Sequence, residues 1–247
     1  MDILVTIFSW AFSLTIGIVL AMHVLLPLLV WKQQGLTAHY DLEKLPADTF
    51  LAERNEEFRN WHQSLLDMGF EYLGSSMLTL SHAKTYVSLY RHENGLAGTV
   101  ATSGNAQMEV NMLEFTQVYA DGSVLSANNS TQLSVYPRLA YKQGYRLPAI
   151  RDARVLMQAA LLLRKQRPGE LSTLTRGREF EEIADFLNRE QQDLLRQGYF
   201  AHALRADGLR GLSLKGAYLM SWKLLWPTRP WLDALQRRQG IKALAMA

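Results

Sequence analysis

The sequence predicts an α+β protein on a single N-terminal transmembrane helix: the span, then a helix with an antiparallel meander sheet, then a mainly helical part containing a hairpin. Three observations predict it. Residues 3–31 contain no Asp, Glu, Lys or Arg. Between about 70 and 136 the hydrophobic period is two, with turn residues between the runs. On either side of that stretch the period is that of a helix. A length of 247 residues admits one or two domains with a sizeable core, and 48% hydrophobic residues is ordinary for a globular chain.

The apolar run of 29 residues would be about 43 Å long as a helix. A hydrocarbon core is about 30 Å thick, so the run can cross with tilt or with a protruding end. A cleaved signal peptide would need an apolar stretch of about 7–15 residues, a preceding positive charge and small residues at a cleavage site. Here only Asp2 precedes the run, and the exit "WKQQGLTAHY" has no such pattern. The expectation is an uncleaved anchor over 1–32. Lys32 and Lys44 follow the span and no Lys or Arg precedes it. The N-terminus is therefore expected outside and the body in the cytoplasm. The absence of cysteine excludes a disulfide framework and thiolate chemistry without choosing a compartment.

Inside the run, Ser9, Ser13 and Gly17 recur every four residues, a ridge over which another helix can approach closely. Pro27 removes one backbone donor and marks a kink or a packing contact. His23 is polar where polar groups are expensive and face protein; a hydrogen bond to a partner helix is the reading preferred. The alternative is metal ligation in a tetrapyrrole: "HVLLPLLVW" resembles single-span light-harvesting polypeptides in placing a histidine ahead of an aromatic exit. No cofactor is expected otherwise.

Residues 33–48 read as a linker, with Gly35 and Pro46 as breakers. Asp48 is the expected N-cap of a helix over 49–68, whose stripe is Leu51, Phe58, Trp61, Leu65 and Met68. Four to six antiparallel strands follow between about 70 and 136, with Asn94-Gly95 and Asp121-Gly122 as turns. Tyr86, Ser88 and Tyr90 alternate with Val87, Leu89 and Arg91, the pattern of a half-solvated sheet. Together 49–148 should form an α+β domain.

Residues 149–247 are expected to be a basic helical domain with an aromatic C-terminal segment. One helix carries Ile150, Val155, Leu156, Ala159, Leu162 and Leu163; a second begins near Thr175 and stops at Gly198, burying Phe180, Ile183, Leu187, Leu194 and Leu195. Net charge is −3 over 32–150 and +7 over 151–247. In "LLRQGYFAHALRADGLRGLSLKGAYLM" a helix is followed by two short strands around Asp207-Gly208. This resembles the second half of a winged-helix domain. That resemblance implies phosphate contacts from Arg205, Arg210 and Lys215 if the unit binds DNA. In the last segment Trp222, Trp226 and Trp231 lie among Lys223, Arg237 and Arg238, a composition suited to a bilayer headgroup region as well as to a packed C-terminal helix.

No phosphate loop, dinucleotide fingerprint, zinc-protease motif or nucleophile elbow occurs. His39, His62, His82, His92 and His202 lack metal-ligand spacing. Asp67, Glu71, Glu109 and Glu114 have no visible pairing and read as solvated carboxylates. The function expected is that of a non-catalytic accessory subunit of a larger bacterial-type membrane complex, with the bilayer and other integral membrane subunits as partners. A membrane-tethered regulator with a DNA-binding C-terminal domain is the second reading. An enzyme without recognisable motifs, or a tetrapyrrole-binding subunit using His23, is the third.

Overall fold

In the computed structural model, which describes residues 2–80, 83–105 and 108–246, α1 (Asp2–Gln33) runs as one helix through the whole apolar segment. Its backbone polar groups bond along the helix, the arrangement a chain needs to cross hydrocarbon. Length and composition make α1 long and apolar enough to span a membrane, and little of its most apolar stretch is fully buried by the rest of the chain.

The expected helix over 49–68 is two helices, α2 (Ala47–Ala52) and α3 (Glu56–Asp67). Asn55 makes the break: its side-chain oxygen accepts the Phe58 N–H at 2.9 Å, satisfying a free donor at the start of α3. Asp48 lies in the first turn of α2 and does not cap it. Phe58, Trp61 and Leu65 are buried, as their spacing requires.

The strands β2 (Glu71–Leu80), β3 (Ala83–Arg91), β4 (Ala97–Asn105), β5 (Met108–Tyr119) and β6 (Val124–Asn128) pair antiparallel in chain order. β7 (Lys142–Arg146) adds in parallel beyond β6, and β8 (Leu171–Ser172) pairs with the end of β5. The turn between β5 and β6 is the expected Asp121-Gly122. Gly122 takes φ +73°, a left-handed conformation open to glycine at little cost.

The sheet is not half-solvated. Tyr90 and Phe115 face a core with α3 and α4 (Ala153–Gln166), while Val87 and Leu89 face a second cluster with Leu42, Phe180 and Ala184. Phe180 and Ala184 belong to α5 (Glu179–Arg196). Alternation in β3 therefore separates two buried faces rather than a wet from a dry one. On α4, Ala153, Leu156, Ala159, Ala160 and Leu163 are buried, whereas Val155 and Leu162, expected in its core stripe, are exposed.

The expected boundary at 148–149 runs through a single hydrophobic core. Leu156 and Leu163 of α4 and Ala243 of α7 (Thr228–Ala245) pack in one cluster with Phe58, Leu113 and Phe115. The expected linker is likewise built into the fold. β1 (Gly35–Thr37) is a strand, and Leu45 N–H donates to the Ser75 carbonyl at 2.8 Å.

Candidate functional site at the end of the apolar helix

Where α1 ends, three elements distant in sequence converge. β9 (Phe200–Leu204) and β10 (Leu209–Leu212) form the hairpin that the sequence placed around Asp207-Gly208, and β1 pairs antiparallel with β10 in the order β1-β10-β9. Gly35 lies opposite Gly211 and Thr37 opposite Leu209. Arg205, at the hairpin turn, donates to the Lys32 carbonyl at 3.2 Å and pairs with Asp207 at 3.0 Å. The hairpin is thus fastened to the last turn of α1.

α6 (Leu214–Leu224) follows at once, capped by Ser213, whose oxygen accepts the Gly216 N–H at 2.8 Å. Gly216 permits the approach of α6 to the chain before β9: a Cβ there would stand 2.0 Å from the Tyr199 carbonyl oxygen. Leu212 N–H reaches the Gln34 carbonyl at 3.4 Å, so α6 starts beside the end of α1 and packs back along it. On α1, Val19, His23, Leu26, Pro27 and Val30 are covered in whole or part, a stripe at helical spacing. From Val19 to Val30 that stripe is about 16 Å long, the length of an 11-residue helix such as α6. Val30 joins Leu36, Leu194, Leu195, Tyr199, Phe200, Leu212 and Ala217 in a small core beneath the junction.

Pro27 is buried and α1 continues through it, so it is a packing residue. The His23 ring bonds within its own helix: its Nδ1 lies 2.7 Å from the Val19 carbonyl oxygen, and since a carbonyl can only accept, Nδ1 is the donor. Ser9, Ser13 and Gly17 are all exposed, and apart from the adjoining residues and backbone of its own helix nothing among the described residues lies within 4 Å of where a Gly17 Cβ would be.

At the far end of α6, Trp222, Trp226 and Trp231 are exposed by 55, 70 and 64%. Arg238 is exposed beside them, and Arg237 pairs with Asp233 at 2.8 Å. Lys223 differs from expectation. It is half-buried, donates to the Val135 carbonyl at 2.7 Å, and burial pushes its pKa down.

The residues that the winged-helix resemblance assigned to phosphates are engaged on backbone carbonyls: Arg205 on Lys32, Arg210 on His202 at 2.6 Å, Lys215 on Gln197 at 2.8 Å.

The carboxylates are not simply solvated. Glu109 is buried in an ion pair with buried Arg54 and also accepts the Asn55 N–H at 2.9 Å. Arg91 pairs with Glu71 at 2.5 Å and with Glu179 at 2.7 Å, Glu114 accepts from Asn128 at 3.0 Å, and Asp67 accepts from Gln63 at 2.8 Å. His62 stacks on Phe58 and bonds Tyr90 Oη at 2.8 Å, and His92 lies on the Met68 carbonyl at 3.1 Å. His82 lies outside the described residues. Among the described residues, no three of His, Cys, Asp and Glu are grouped so as to hold a metal ion. Sequence reasoning missed the Arg54–Glu109 pair because 55 residues separate its partners; only the Asn55 cap signal near Arg54 was available.

No protein-family model, no curated protein and no solved structure matches this chain.

Proposed function

We propose that this chain is a single-pass, membrane-anchored accessory subunit of a larger membrane complex, non-catalytic, with its body on the cytoplasmic side. The observation that carries this reading is the attachment of the body to the end of α1. β1, the Arg205 contact and α6 join the two without a free tether, so a partner that fixes α1 in the bilayer also fixes the body. The open Ser9-Ser13-Gly17 ridge supports a partner helix, since small residues allow close backbone approach. Lys32 and Lys44 after the span support the cytoplasmic side.

The test is extraction in a mild detergent, identification of co-purifying subunits by mass spectrometry, and an absorption spectrum of the purified material. Specific integral-membrane partners are expected, and lost on Gly17→Ile. A chain that purifies alone, in detergents that preserve other membrane complexes, defeats the reading. A mature N-terminus downstream of residue 31 shows a cleaved signal sequence and defeats the anchor itself.

One observation supports the second reading, a tethered DNA-binding regulator: the β1-β10-β9 order after α5 would suit the wing of a winged-helix unit. Against it stand Arg205, Arg210 and Lys215, each held on a carbonyl. A tight, sequence-selective mobility shift by the full chain in detergent would promote it, because specificity needs base contacts beyond phosphate neutralisation.

A further inference from the structure

We propose that the hydrocarbon core ends near Met22–His23, well before Trp31, and that the α6–α7 elbow lies in the headgroup layer of that same leaflet, bound to anionic lipid. This rests on the reading of α1 as a membrane span. It deepens that reading by fixing where the bilayer stops and which surface meets it.

The first support is the company the elbow keeps. Lys223 donates to the Val135 carbonyl at 2.7 Å, Gln236 and Ser134 bond each other at 3.2 and 3.4 Å, and Arg138 bonds Gln239. These contacts tie α6 and α7 to a segment in which Thr131, Gln132, Ser134 and Arg138 are exposed. α6 starts beside Gln34 and is about 16 Å long, and the covered stripe on α1 reaches back to Val19, so we infer that this polar segment, tied to the far end of α6, lies near the level of Val19–His23. Irregular backbone and an exposed guanidinium do not lie in hydrocarbon. On this side, lipid tails stop at about that level.

The second support is length. Residues 3–22 number twenty, about 30 Å of helix, which matches a hydrocarbon thickness of about 30 Å. The apolar residues beyond are not needed to span. They supply the stripe on which α6 packs, and Val24–Trp31 passes through the interfacial layer.

The third support is the elbow's outer surface. Trp222, Trp226 and Trp231 are exposed on it, with Tyr218 less so, and Leu235 and Ile241 continue the exposed surface along α7. Residues 214–245 hold six Lys or Arg and one acid, Asp233, which Arg146 and Arg237 already engage. Tryptophan favours the bilayer interface, and a basic rim favours an anionic leaflet. The surface is continuous with α1, so the bilayer that α1 enters is the apolar phase within its reach.

The chain has no cysteine, so single cysteines are unique probes in the full-length protein. Leu14→Cys, Leu25→Cys, Leu29→Cys, Trp222→Cys, Trp231→Cys and Glu181→Cys would be labelled with bimane in detergent, then reconstituted in vesicles of phosphatidylcholine with or without phosphatidylglycerol. Nitroxides at the headgroup or deep in the acyl chain report depth. An impermeant maleimide on unlabelled samples reports exposure. Probes at 222 and 231 should be quenched by the headgroup nitroxide, at least twofold more with phosphatidylglycerol present. Probes at 25 and 29 should be quenched more by the headgroup than by the deep nitroxide, and 14 the reverse.

If 222 and 231 are unquenched in both lipids, the elbow does not touch the bilayer and the proposal falls while the anchor stands. If 25 and 29 behave like 14, hydrocarbon extends to Trp31 and the register is wrong. Equal quenching with and without phosphatidylglycerol removes the anionic preference. If Leu14→Cys reacts with maleimide as fast as Glu181→Cys, α1 does not span, and the underlying reading fails instead.

Discussion

Asn188 on α5 and Tyr40 after β1 exchange two hydrogen bonds: the Asn188 side-chain oxygen accepts the Tyr40 N–H at 2.8 Å, and its amide donates to the Tyr40 carbonyl at 3.1 Å. The side chain serves Tyr40 as a neighbouring strand would. It fixes the segment that leaves α1 onto the helix joining the junction core to the sheet. Burial, with Tyr136 and Glu190 adding to it, raises the Tyr40 phenol to about 12, so it stays protonated throughout the stable range.

Asn188→Ala should therefore release residues 38–45 before the rest of the body opens. Two partly buried backbone groups lose their partners, at a cost of about 2 kcal/mol. Limited proteolysis in detergent should show faster cleavage within 38–45. An unchanged cleavage rate there would mean the pair is not what holds the segment.

The Arg54–Glu109 pair predicts an asymmetry. Glu109→Ala leaves the buried guanidinium with only the exposed Glu53 carboxylate, at 3.6 Å, as a charge partner and should lower stability by about 3 kcal/mol. Replacing both, as Arg54→Met with Glu109→Leu, should cost less than the single change, since no charge remains to be desolvated. Arg54 also lies over the Phe50 and Tyr86 rings at 4.5 and 4.8 Å, contacts that a methionine partly keeps. Urea unfolding of the two variants, side by side, checks the order.

Gly216 and Gly17 should respond oppositely to alanine. Helix propensity alone favours Ala over Gly by about 1 kcal/mol. At Gly216 the new Cβ meets the Tyr199 carbonyl at 2.0 Å, and backbone cannot yield cheaply. Gly216→Ala should unseat α6 and lower the unfolding midpoint, whereas Gly17→Ala, with open space around it, should leave the isolated protein's stability unchanged or higher. Thermal unfolding in one detergent reads both.

Two groups contribute to separate parts of the acid side of the stability profile. Burial pushes His62 below its ordinary value of 6.5. The unfolded chain then takes up the proton first, and stability falls as pH drops below about 6.5. At Asp233 burial alone would raise the carboxyl, but Arg146 and Arg237 outweigh it and hold it below 3.8. That contribution is full above the unfolded value and is lost as pH falls through the lower, folded one. His62→Phe should flatten the upper part of the decline and Asp233→Asn the lower part, each measured as unfolding midpoint against pH.

Much of the element order was legible from local signals. Twenty-nine residues without charge, the Phe58-Trp61-Leu65 stripe, two hairpins with Gly in the turn and the acidic start of α5 are each a statement about a few neighbouring residues. The misreadings arose where a distant element decides. Val87 and Leu89 look like one half of a wet sheet until Phe180 and Ala184, some ninety residues on, cover them. Residues 33–48 look like a linker because Gly35 and Pro46 are breakers, yet β10 supplies the hydrogen bonds that make Gly35–Thr37 a strand.

The same division holds for the candidate site. The sequence by itself determined that one apolar helix precedes a charged body and that tryptophans gather with basic residues near the C-terminus, because hydropathy and composition are local properties. Only the tertiary structure decided that α6 packs back along α1, that Lys223 turns inward to Val135, and that Arg205 is held by Lys32. Those outcomes depend on burying the Val30–Leu36–Ala217 core and on satisfying polar groups. The contacts involved join residues as distant in sequence as Val30 and Ala217, and no period along the chain can encode them.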